Sequence, residues 1–222
     1  SQFTSANGVS SGSGTAGNPH IIENWDINAS SANGIDVRNT NAYFIIRNCT
    51  IHDGKSTSKY GIYFSSVQNG KIDNVTSYNN YYGIYLYGYY GACGYNTITN
   101  CAVYNNSCGI LLSYSSNNNQ MTNCNVYNNS QYGICLEESS TNNLITSCNV
   151  YNNSGAGIFL YDSPDNNIIS CDVYNNSGFG IDLSVPSNNT QIINCNVHNN
   201  FGTGILAYPS SNNTITNCAV YN

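Results

Sequence analysis

One octapeptide, or a close variant of it, occurs six times in this chain of 222 residues. NCNVYNNS stands at 123–130, with variants at 100–107, 147–154, 170–177 and 194–201 and a truncated copy at 217–222. Intervals of 23 or 24 residues separate the cysteines that mark the copies, which are Cys101, Cys124, Cys148, Cys171, Cys195 and Cys218. A fixed period of this length indicates a solenoid, in which each repeat packs against its neighbours.

A Gly-Ile dipeptide follows each complete copy and extends the repeat toward the N-terminus. Upstream units keep this dipeptide, although Trp25, Cys49 or Val75 takes the cysteine position. Nine units therefore begin between about residue 20 and the end of the chain. We predict a Ser/Gly-rich segment at 1–18 and one repeat domain at 19–222, with its last unit incomplete.

Apolar residues alternate with polar ones inside every unit, which indicates short strands rather than helices. An Ile or Met stands three residues before the cysteine, and a Val stands two residues after it. Alternation with a period of two is typical of strands that bury one face. Asn, Ser and Gly fill the gaps, as tight turns require. The pattern predicts an all-β fold, a parallel β-helix of about nine coils of 22–27 residues with three short strands per coil.

Coil-on-coil stacking assigns a role to most positions of the octapeptide. The cysteines are expected to point inward as small apolar residues and to form a column in the core. The first Asn of each NN pair is expected at a turn, where side-chain amides can hydrogen-bond from coil to coil. These predicted ladder positions are Asn105, Asn128, Asn152, Asn175 and Asn199. The tyrosine between two inward residues should face outward.

The units resemble the parallel β-helix repeats of the pectate-lyase-like superfamily, in particular its NosD-like branch of archaeal and bacterial cell-surface proteins. The pattern N-x-x-x-N-C-x-V-x-N-N-x-x-x-G-I-x-L and the stretch 17–54 carry this resemblance over about nine-tenths of the chain. It implies a right-handed parallel β-helix. It leaves the function open, because the superfamily includes lyases, hydrolases, adhesins and structural proteins.

The charge of the chain excludes several classes of partner. Charged residues make up 7% of the sequence, the net charge is −6, and all five basic residues precede residue 72. Nucleic-acid binding requires a basic surface, which this sequence does not provide. No apolar run approaches the ~20 residues that span a bilayer. An opening SQFTSANG without methionine is typical of a processed chain, so we expect an extracellular or cell-surface location.

Nine Asn-x-Ser/Thr sequons occur, among them Asn28, Asn74, Asn105 and Asn188. Such sequons are acceptors of N-linked glycans in secreted proteins. Four of them coincide with predicted turn asparagines, which favours a ladder role over glycosylation at those positions.

An outward column of aromatic residues repeats once per coil. Its members are Tyr78, Tyr104, Tyr127, Tyr151, Tyr174, His198 and Tyr221. A second concentration of tyrosines lies at 78–95 and includes a longer loop. Three interpretations stay open for the column: stacking between coils, a platform for surface glycans, and lateral contact between molecules.

Three cysteines break the core column, namely Cys93, Cys108 and Cys135. Because they fall at loop or outward positions, we predict that two of them form a disulfide within the chain and that the third pairs with a thiol of another molecule. Reduced thiols are the alternative.

Acidic residues suggest one metal site. Glu138 and Asp162 share a register in adjacent coils, and Asp165 follows three residues later. Carboxylates in such a group can bind calcium, although exposed turn carboxylates are the alternative. Copper prefers clustered His, Met or Cys, and His20, His52, His198 and Met121 are scattered over different coils. We expect no other cofactor.

Catalysis has little support in this sequence. The resemblance implies that lyases of the superfamily use calcium-bridging aspartates with an Arg or Lys base, and the regular coils contain no such base. Asp172 and Asp182 fall on different strands. Mixed charge gathers only in the first coils, at Asp26, Asp36, Arg38 and Arg47. We therefore predict a non-enzymatic protein.

The ends of the solenoid suggest self-association. Residues 1–18 contain no amphipathic helix that could cover the first coil, and the last unit stops in mid-motif. Either the chain is a piece of a longer protein, or a neighbouring molecule completes the last coil. We predict a structural protein that assembles with itself, end to end and laterally, into a sheath, hoop, fibre or surface layer. The alternative is a surface β-helix domain that binds or cleaves carbohydrate.

Overall fold

The chain folds as a parallel β-helix in which every coil adds one strand to each of three sheets. The computed structural model describes residues 2–221 and contains eight complete coils followed by two strands of a ninth. This agrees with the predicted architecture and is close to the predicted number of coils. Neighbouring strands within each sheet are parallel and in register, apart from β1.

The ten-stranded sheet consists of β1 Val9–Ser11, β2 His20–Glu23, β5 Phe44–Arg47, β8 Gly70–Asp73, β11 Thr97–Thr99, β14 Gln120–Thr122, β17 Leu144–Thr146, β20 Asn167–Ile169, β23 Gln191–Ile193 and β26 Thr214–Thr216. The nine-stranded sheet consists of β3 Asp26–Asn28, β6 Thr50–His52, β9 Thr76–Tyr78, β12 Ala102–Tyr104, β15 Asn125–Tyr127, β18 Asn149–Tyr151, β21 Asp172–Tyr174, β24 Asn196–His198 and β27 Ala219–Tyr221. The eight-stranded sheet consists of β4 Ile35–Thr40, β7 Ile62–Val67, β10 Tyr82–Tyr87, β13 Cys108–Ser113, β16 Ile134–Glu137, β19 Ile158–Tyr161, β22 Ile181–Ser184 and β25 Ile205–Ala207. Two short 3-10 helices span Ser5–Asn7 and Lys55–Thr57.

The core is a set of identical columns, as the alternation predicts. Ile98, Cys101 and Val103 of one coil are almost completely buried, and the matching residues of the next coils lie directly above them. The predicted cysteine column is confirmed from Cys101 to Cys195, while Cys218 is half-buried. Each thiol donates to a carbonyl, as from Cys148 Sγ to Thr146 O at 3.4 Å.

The asparagine ladder exists, but its members are the second Asn of each NN pair. Asn129 Nδ2 donates to Asn153 Oδ1 at 2.9 Å, and Asn153 Nδ2 donates to Asn176 Oδ1 at 2.9 Å. The predicted members lie in the left-handed backbone region with exposed side chains, and they are Asn105, Asn128, Asn152, Asn175 and Asn199. Their left-handed conformation turns the chain, and the following residue then points inward.

The Gly-Ile marker is explained by this ladder. A Cβ atom on Gly133 would lie 2.5 Å from Val150 Cγ1 and 2.8 Å from Asn153 Nδ2. No side chain fits there, because the buried amide of the next coil fills the space. Two further ladders lie between the eight-stranded and ten-stranded sheets, one built on buried asparagines from Asn96 to Asn166 and one on serines from Ser116 to Ser210.

The N-terminal segment lies against the first coil. Strand β1 pairs antiparallel with β2, and the Phe3 ring packs against His20 and Phe44. Gln2 pairs its side-chain amide with the backbone of Arg38, on the edge strand of the eight-stranded sheet. The described part of this segment contains no amphipathic helix, but β1 and the Phe3 ring cover part of the first coil in its place. Within residues 2–221, no helix is long and apolar enough to cross a membrane.

Candidate glycan-binding surfaces

The outward aromatic column forms a continuous stack, which we call the tyrosine ladder. Its rings are His52, Tyr78, Tyr104, Tyr127, Tyr151, Tyr174, His198 and Tyr221. Successive centroids are 4.9–5.3 Å apart with interplanar angles of 4–12°. Every residue of this column ends a strand of the nine-stranded sheet, so the strand spacing sets the ring spacing. Stacking between coils, one of the three interpretations, is confirmed.

The geometry of the tyrosine ladder limits what it can bind. Each internal ring has both faces covered by its neighbours, so only ring edges and phenol oxygens reach solvent. A sugar ring that packs on an aromatic face cannot find a free face inside this stack. Glycan binding and lateral contact at the ladder stay predictions, and a binding mode there would have to use hydroxyl groups.

The outer face of the eight-stranded sheet carries a second apolar cluster. Its buried members are Tyr63, Tyr85, Cys108, Leu111 and Cys135, with Tyr60, Tyr82, Tyr87, Tyr132 and Phe159 packed around them. These residues point away from the core, yet Cys135 is 2% exposed because large neighbouring side chains cover it. Burial raises the pKa of the Cys108 and Cys135 thiols well above the ordinary range of a thiol.

The prediction of surface cysteines is therefore wrong. Cys93 lies in the main core, and Cys108 and Cys135 lie under the aromatic side chains of the outer cluster. All ten cysteines, which fall within residues 2–221, are free thiols. The outward register was correct for Cys135, but the pattern of one strand does not show how far its neighbours' rings extend.

Tyr89 and Tyr114 line a shallow groove at the C-terminal ends of this sheet's strands, and Tyr87 and Tyr90 pack against them. The loop after β10 holds Tyr89 and Tyr90, which are 61% and 76% exposed. Tyr89 stands perpendicular to Tyr90 and Tyr114, with centroids 5.1 Å apart and angles of 89°. Tyr87 lies edge-on to Tyr114 at 5.1 Å. Tyr87 lies roughly parallel to Tyr89, with centroids 6.0 Å apart and an interplanar angle of 21°. Tyr89 and Tyr90 are nevertheless mostly exposed, whereas the internal rings of the tyrosine ladder are half-buried.

Carboxylates and hydroxyls line the floor of the groove. Its volume is about 310 Å³, and its lining residues are Gly88, Tyr89, Tyr114, Ser115, Glu138, Ser139 and Asp162. A hydrogen bond to Glu138 raises the pKa of the Tyr114 phenol. The Glu138 Oε2 atom is buried and has no partner among the described residues. Together with Tyr87 and Tyr90, this surface is called the tyrosine groove below.

The predicted calcium ligands are only partly brought together. Glu138 and Asp162 share the tyrosine groove, but Asp165 lies in the next turn, where Asn189 Nδ2 donates to its Oδ1 at 3.0 Å. Within residues 2–221, no three His, Cys, Asp or Glu side chains are grouped as metal ligands. The calcium site stays a prediction that rests on two carboxylates.

Two more carboxyl groups lie on the outer face of the eight-stranded sheet. Glu137 lies beside Cys135, with its Oε2 3.9 Å from the thiol, and burial raises its pKa. Asp182 is 6% exposed and accepts a hydrogen bond from Ser184 Oγ at 2.7 Å, and burial raises its pKa as well. Asp172 lies on the nine-stranded sheet with its Oδ1 3.2 Å from His198 Nε2, which confirms that Asp172 and Asp182 are on different strands.

The mixed charges of the first coils pair with each other. Arg38 donates two hydrogen bonds to Asp36 at 2.7 and 2.8 Å, and an Arg47 nitrogen lies 2.8 Å from Glu23 Oε2. The ring nitrogens of His52 are 3.1 Å from Asp26 and 2.8 Å from Asp53. Met121 is buried in the core, away from the three histidines, which occupy separate coils.

The sequence indicated a concentration of tyrosines at 78–95, but it did not predict that some of them would line a groove. A signal was present, because Tyr89 and Tyr90 fall in one of two loops that lengthen a coil beyond the regular period. Its significance depends on Glu138 and Asp162, which lie two and three coils further along the chain. Only the coil-to-coil register brings Tyr114, Glu138 and Asp162 into one line.

The model of the family described as "Right handed beta helix region" matches residues 1–146 and 137–222 of this chain. No match was found among curated proteins.

Several solved structures share the fold. The periplasmic alginate epimerase AlgG is 16% identical with a TM-score of 0.66, covering 89% of this chain and 59% of that one. Pectate lyase Pel9A is 18% identical with a TM-score of 0.63, covering 82% and 54%. The A-module of Azotobacter vinelandii mannuronan C-5 epimerase AlgE6 is 15% identical with a TM-score of 0.62, covering 91% and 69%. The chain thus spans about 60% of the length of the AlgG structures, and such identities show the fold alone.

Proposed function

This chain belongs to the right-handed β-helix family, and we propose that it is a carbohydrate-binding domain that takes neutral glycans in the tyrosine groove. One observation carries the proposal: the exposed rings of Tyr89, Tyr90 and Tyr114 lie together beside hydroxyl and carboxylate acceptors. Binding sites for polar ligands with apolar faces combine these two elements.

A sugar matches both elements of the groove, the exposed aromatic rings and the hydrogen-bond acceptors. The axial C–H groups of a pyranose pack on the face of a tyrosine ring, which buries apolar area from both partners. Its hydroxyl groups donate to carboxylate oxygens, and charge-assisted bonds of this kind are stronger than neutral ones. The Glu138 and Asp162 side chains line the groove and supply carboxylate acceptors of this kind.

Charge determines the class of glycan. Residues 72–222 contain no Lys or Arg, while Glu137, Glu138 and Asp162 lie in or beside the groove. The names of the similar structures refer to alginate, mannuronan and pectate, whose sugars carry carboxylates. A polyuronate would meet only negative charge here, and like charges oppose association. We therefore propose neutral polysaccharides as ligands, at a secreted or surface location.

A panel of polysaccharides tests this proposal. Affinity electrophoresis of the full chain should show retardation by at least one neutral glycan among β-glucans, xylans, mannans and chitin-type polymers. Alginate and polygalacturonate should cause none at low salt. Retardation by the polyuronates alone, or by no polymer, would overturn the proposal.

Polysaccharide cleavage is a second candidate, supported by the raised pKa of two carboxyl groups on one face. Glu137 and Asp182 lie two strands apart and two residues out of register, so their backbones are roughly 12 Å apart. This exceeds the roughly 6.5–9.5 Å between the carboxyl groups of inverting glycosidases, so the two side chains would have to approach each other around a substrate. Release of reducing ends by the native chain, and its loss in Glu137→Gln with binding kept, is the expected result for an enzyme. Self-assembly into a sheath, hoop, fibre or layer stays a prediction.

A further inference from the structure

The NNS turns place an unused amide at the surface of four successive coils. The first asparagines of these turns are Asn105, Asn128, Asn152 and Asn175, with φ values of 54–58°. All four side chains are exposed, and none forms a side-chain hydrogen bond within residues 2–221. Their amides are therefore free to react.

Structure explains only part of the NNS sequence. The left-handed turn favours a short polar residue at the first position, and the buried ladder requires Asn at the second. Neither explains the serine at the third position. Ser154 and Ser177 are exposed, and their hydroxyls make no hydrogen bond within the described chain. Since the ladder uses the second Asn, it no longer accounts for the first Asn of the sequon.

We propose that Asn152 and Asn175 are N-linked glycosylation sites. The sequon Asn-x-Ser supplies the acceptor amide and the hydroxyl that the transferase recognises. The sugar donor is a lipid-linked oligosaccharide diphosphate. The Asn Nδ2 atom bonds to the anomeric carbon, the bond from that carbon to the diphosphate oxygen breaks, and the amide loses one proton to a base of the transferase.

The two earlier turns are less suited to modification of the folded surface. Ser107 is 7% exposed, so the hydroxyl that belongs to Asn105 is covered. Ser130 Oγ accepts a hydrogen bond from Lys55 Nζ at 3.2 Å, which places a lysine chain over the turn that contains Asn128. The following coil supplies a natural control, because Asn199 has the same backbone conformation and exposure but is followed by Phe201 at the third position.

The experiment uses the full chain, secreted from a host that N-glycosylates its extracellular proteins. Trypsin cannot separate the sites, since residues 72–222 contain no Lys or Arg. Chymotrypsin cleaves after Tyr127, Tyr151 and Tyr174 and so places the acceptors on different peptides. Mass spectrometry of these peptides should show glycan on Asn152 and Asn175 and none on Asn199.

Matched variants make the result specific. Ser154→Ala should abolish the glycan on Asn152 alone, Ser177→Ala should abolish the glycan on Asn175 alone, and Phe201→Ser should create one on Asn199. Far-UV circular dichroism confirms that each exposed substitution leaves the fold intact. Unmodified Asn152 and Asn175, in a preparation whose co-secreted control glycoprotein carries glycans, would overturn the proposal. So would modification of Asn105 and Asn128 in their place.

Discussion

The tyrosine ladder and the tyrosine groove use the same residue type in opposite ways. In the ladder, rings one coil apart cover each other's faces at 4.9–5.3 Å, so their contact area is internal to the molecule. In the groove, Tyr89 stands perpendicular to both Tyr90 and Tyr114, and Tyr90 is 76% exposed. A regular register therefore converts tyrosine into a stabilising element, whereas an irregular loop makes it available to a ligand.

The largest expected effect is on stability, in the ladder. Tyr151→Ala removes a half-buried ring that is stacked on both faces, by Tyr127 and Tyr174 at 4.9 Å. We expect the free energy of unfolding to fall by about 2–3 kcal/mol, below the value for a fully buried aromatic residue. Denaturant unfolding followed by circular dichroism measures this loss. The matched control, Tyr90→Ala, should change stability by no more than about 0.5 kcal/mol, and equal losses in the two variants would break the comparison.

The next effect is on binding, in the groove. Replacing Tyr89 and Tyr90 together by Ala removes the two most open ring faces while leaving Tyr114 in place. Affinity for the best neutral glycan should fall by about tenfold or more, which is about 1.4 kcal/mol. Isothermal titration calorimetry gives the comparison. Tyr127→Ala in the ladder should leave the affinity within a factor of two, and a larger loss there than in the groove would reverse our assignment.

The third effect is a pH dependence of stability that comes from His52, the first ring of the tyrosine ladder. The hydrogen bond to Asp53 raises the pKa of His52 above its ordinary value of 6.5, so the folded state holds this proton more tightly than the unfolded state. The stabilisation is full below about pH 6.5 and is lost as pH rises through the raised pKa. We expect stability to decline by less than about 1 kcal/mol between about pH 6 and 8. His52→Gln should remove this decline in the unfolding midpoint, and an unchanged slope would show that another group titrates.

The smallest effect separates the ring from its hydroxyl. Tyr151→Phe keeps both stacking contacts and removes only a phenol oxygen at the surface. Stability should stay within about 0.5 kcal/mol of the native protein. A loss near that of Tyr151→Ala in the same unfolding measurement would mean that the hydroxyl, rather than the stacked ring, stabilises the ladder.

Periodicity was sufficient to predict the coil, the three strands and the cysteine column, since these depend on which residues recur at a fixed interval. It could not decide between two adjacent asparagines. Asn152 and Asn153 recur equally well, and only the left-handed backbone at Asn152 shows that the next side chain turns inward. For the same reason, the pattern alone placed the sequon asparagines in the ladder, whereas the ladder uses the asparagine that follows each of them.

Exposure was the second property that the pattern could not supply. Alternation places Cys135 on the outer face correctly, but its burial depends on Tyr132 and Phe159 from the same and the next coil. The tyrosine groove depends on an irregular loop that brings Tyr89 beside Tyr114 and on the turns that hold Glu138 and Asp162. Contacts between coils, rather than residues within one repeat, create both features.

The most direct test of the account is hydroxyl-radical footprinting of the tyrosines, with and without the neutral glycan that binds best. Mass spectrometry of chymotryptic peptides reports the oxidation of each ring. We expect saturating glycan to protect Tyr89, Tyr90 and Tyr114 while Tyr104, Tyr127, Tyr151 and Tyr174 react as before. Protection of the ladder with no change in the groove would contradict the account and return the binding site to the stacked column.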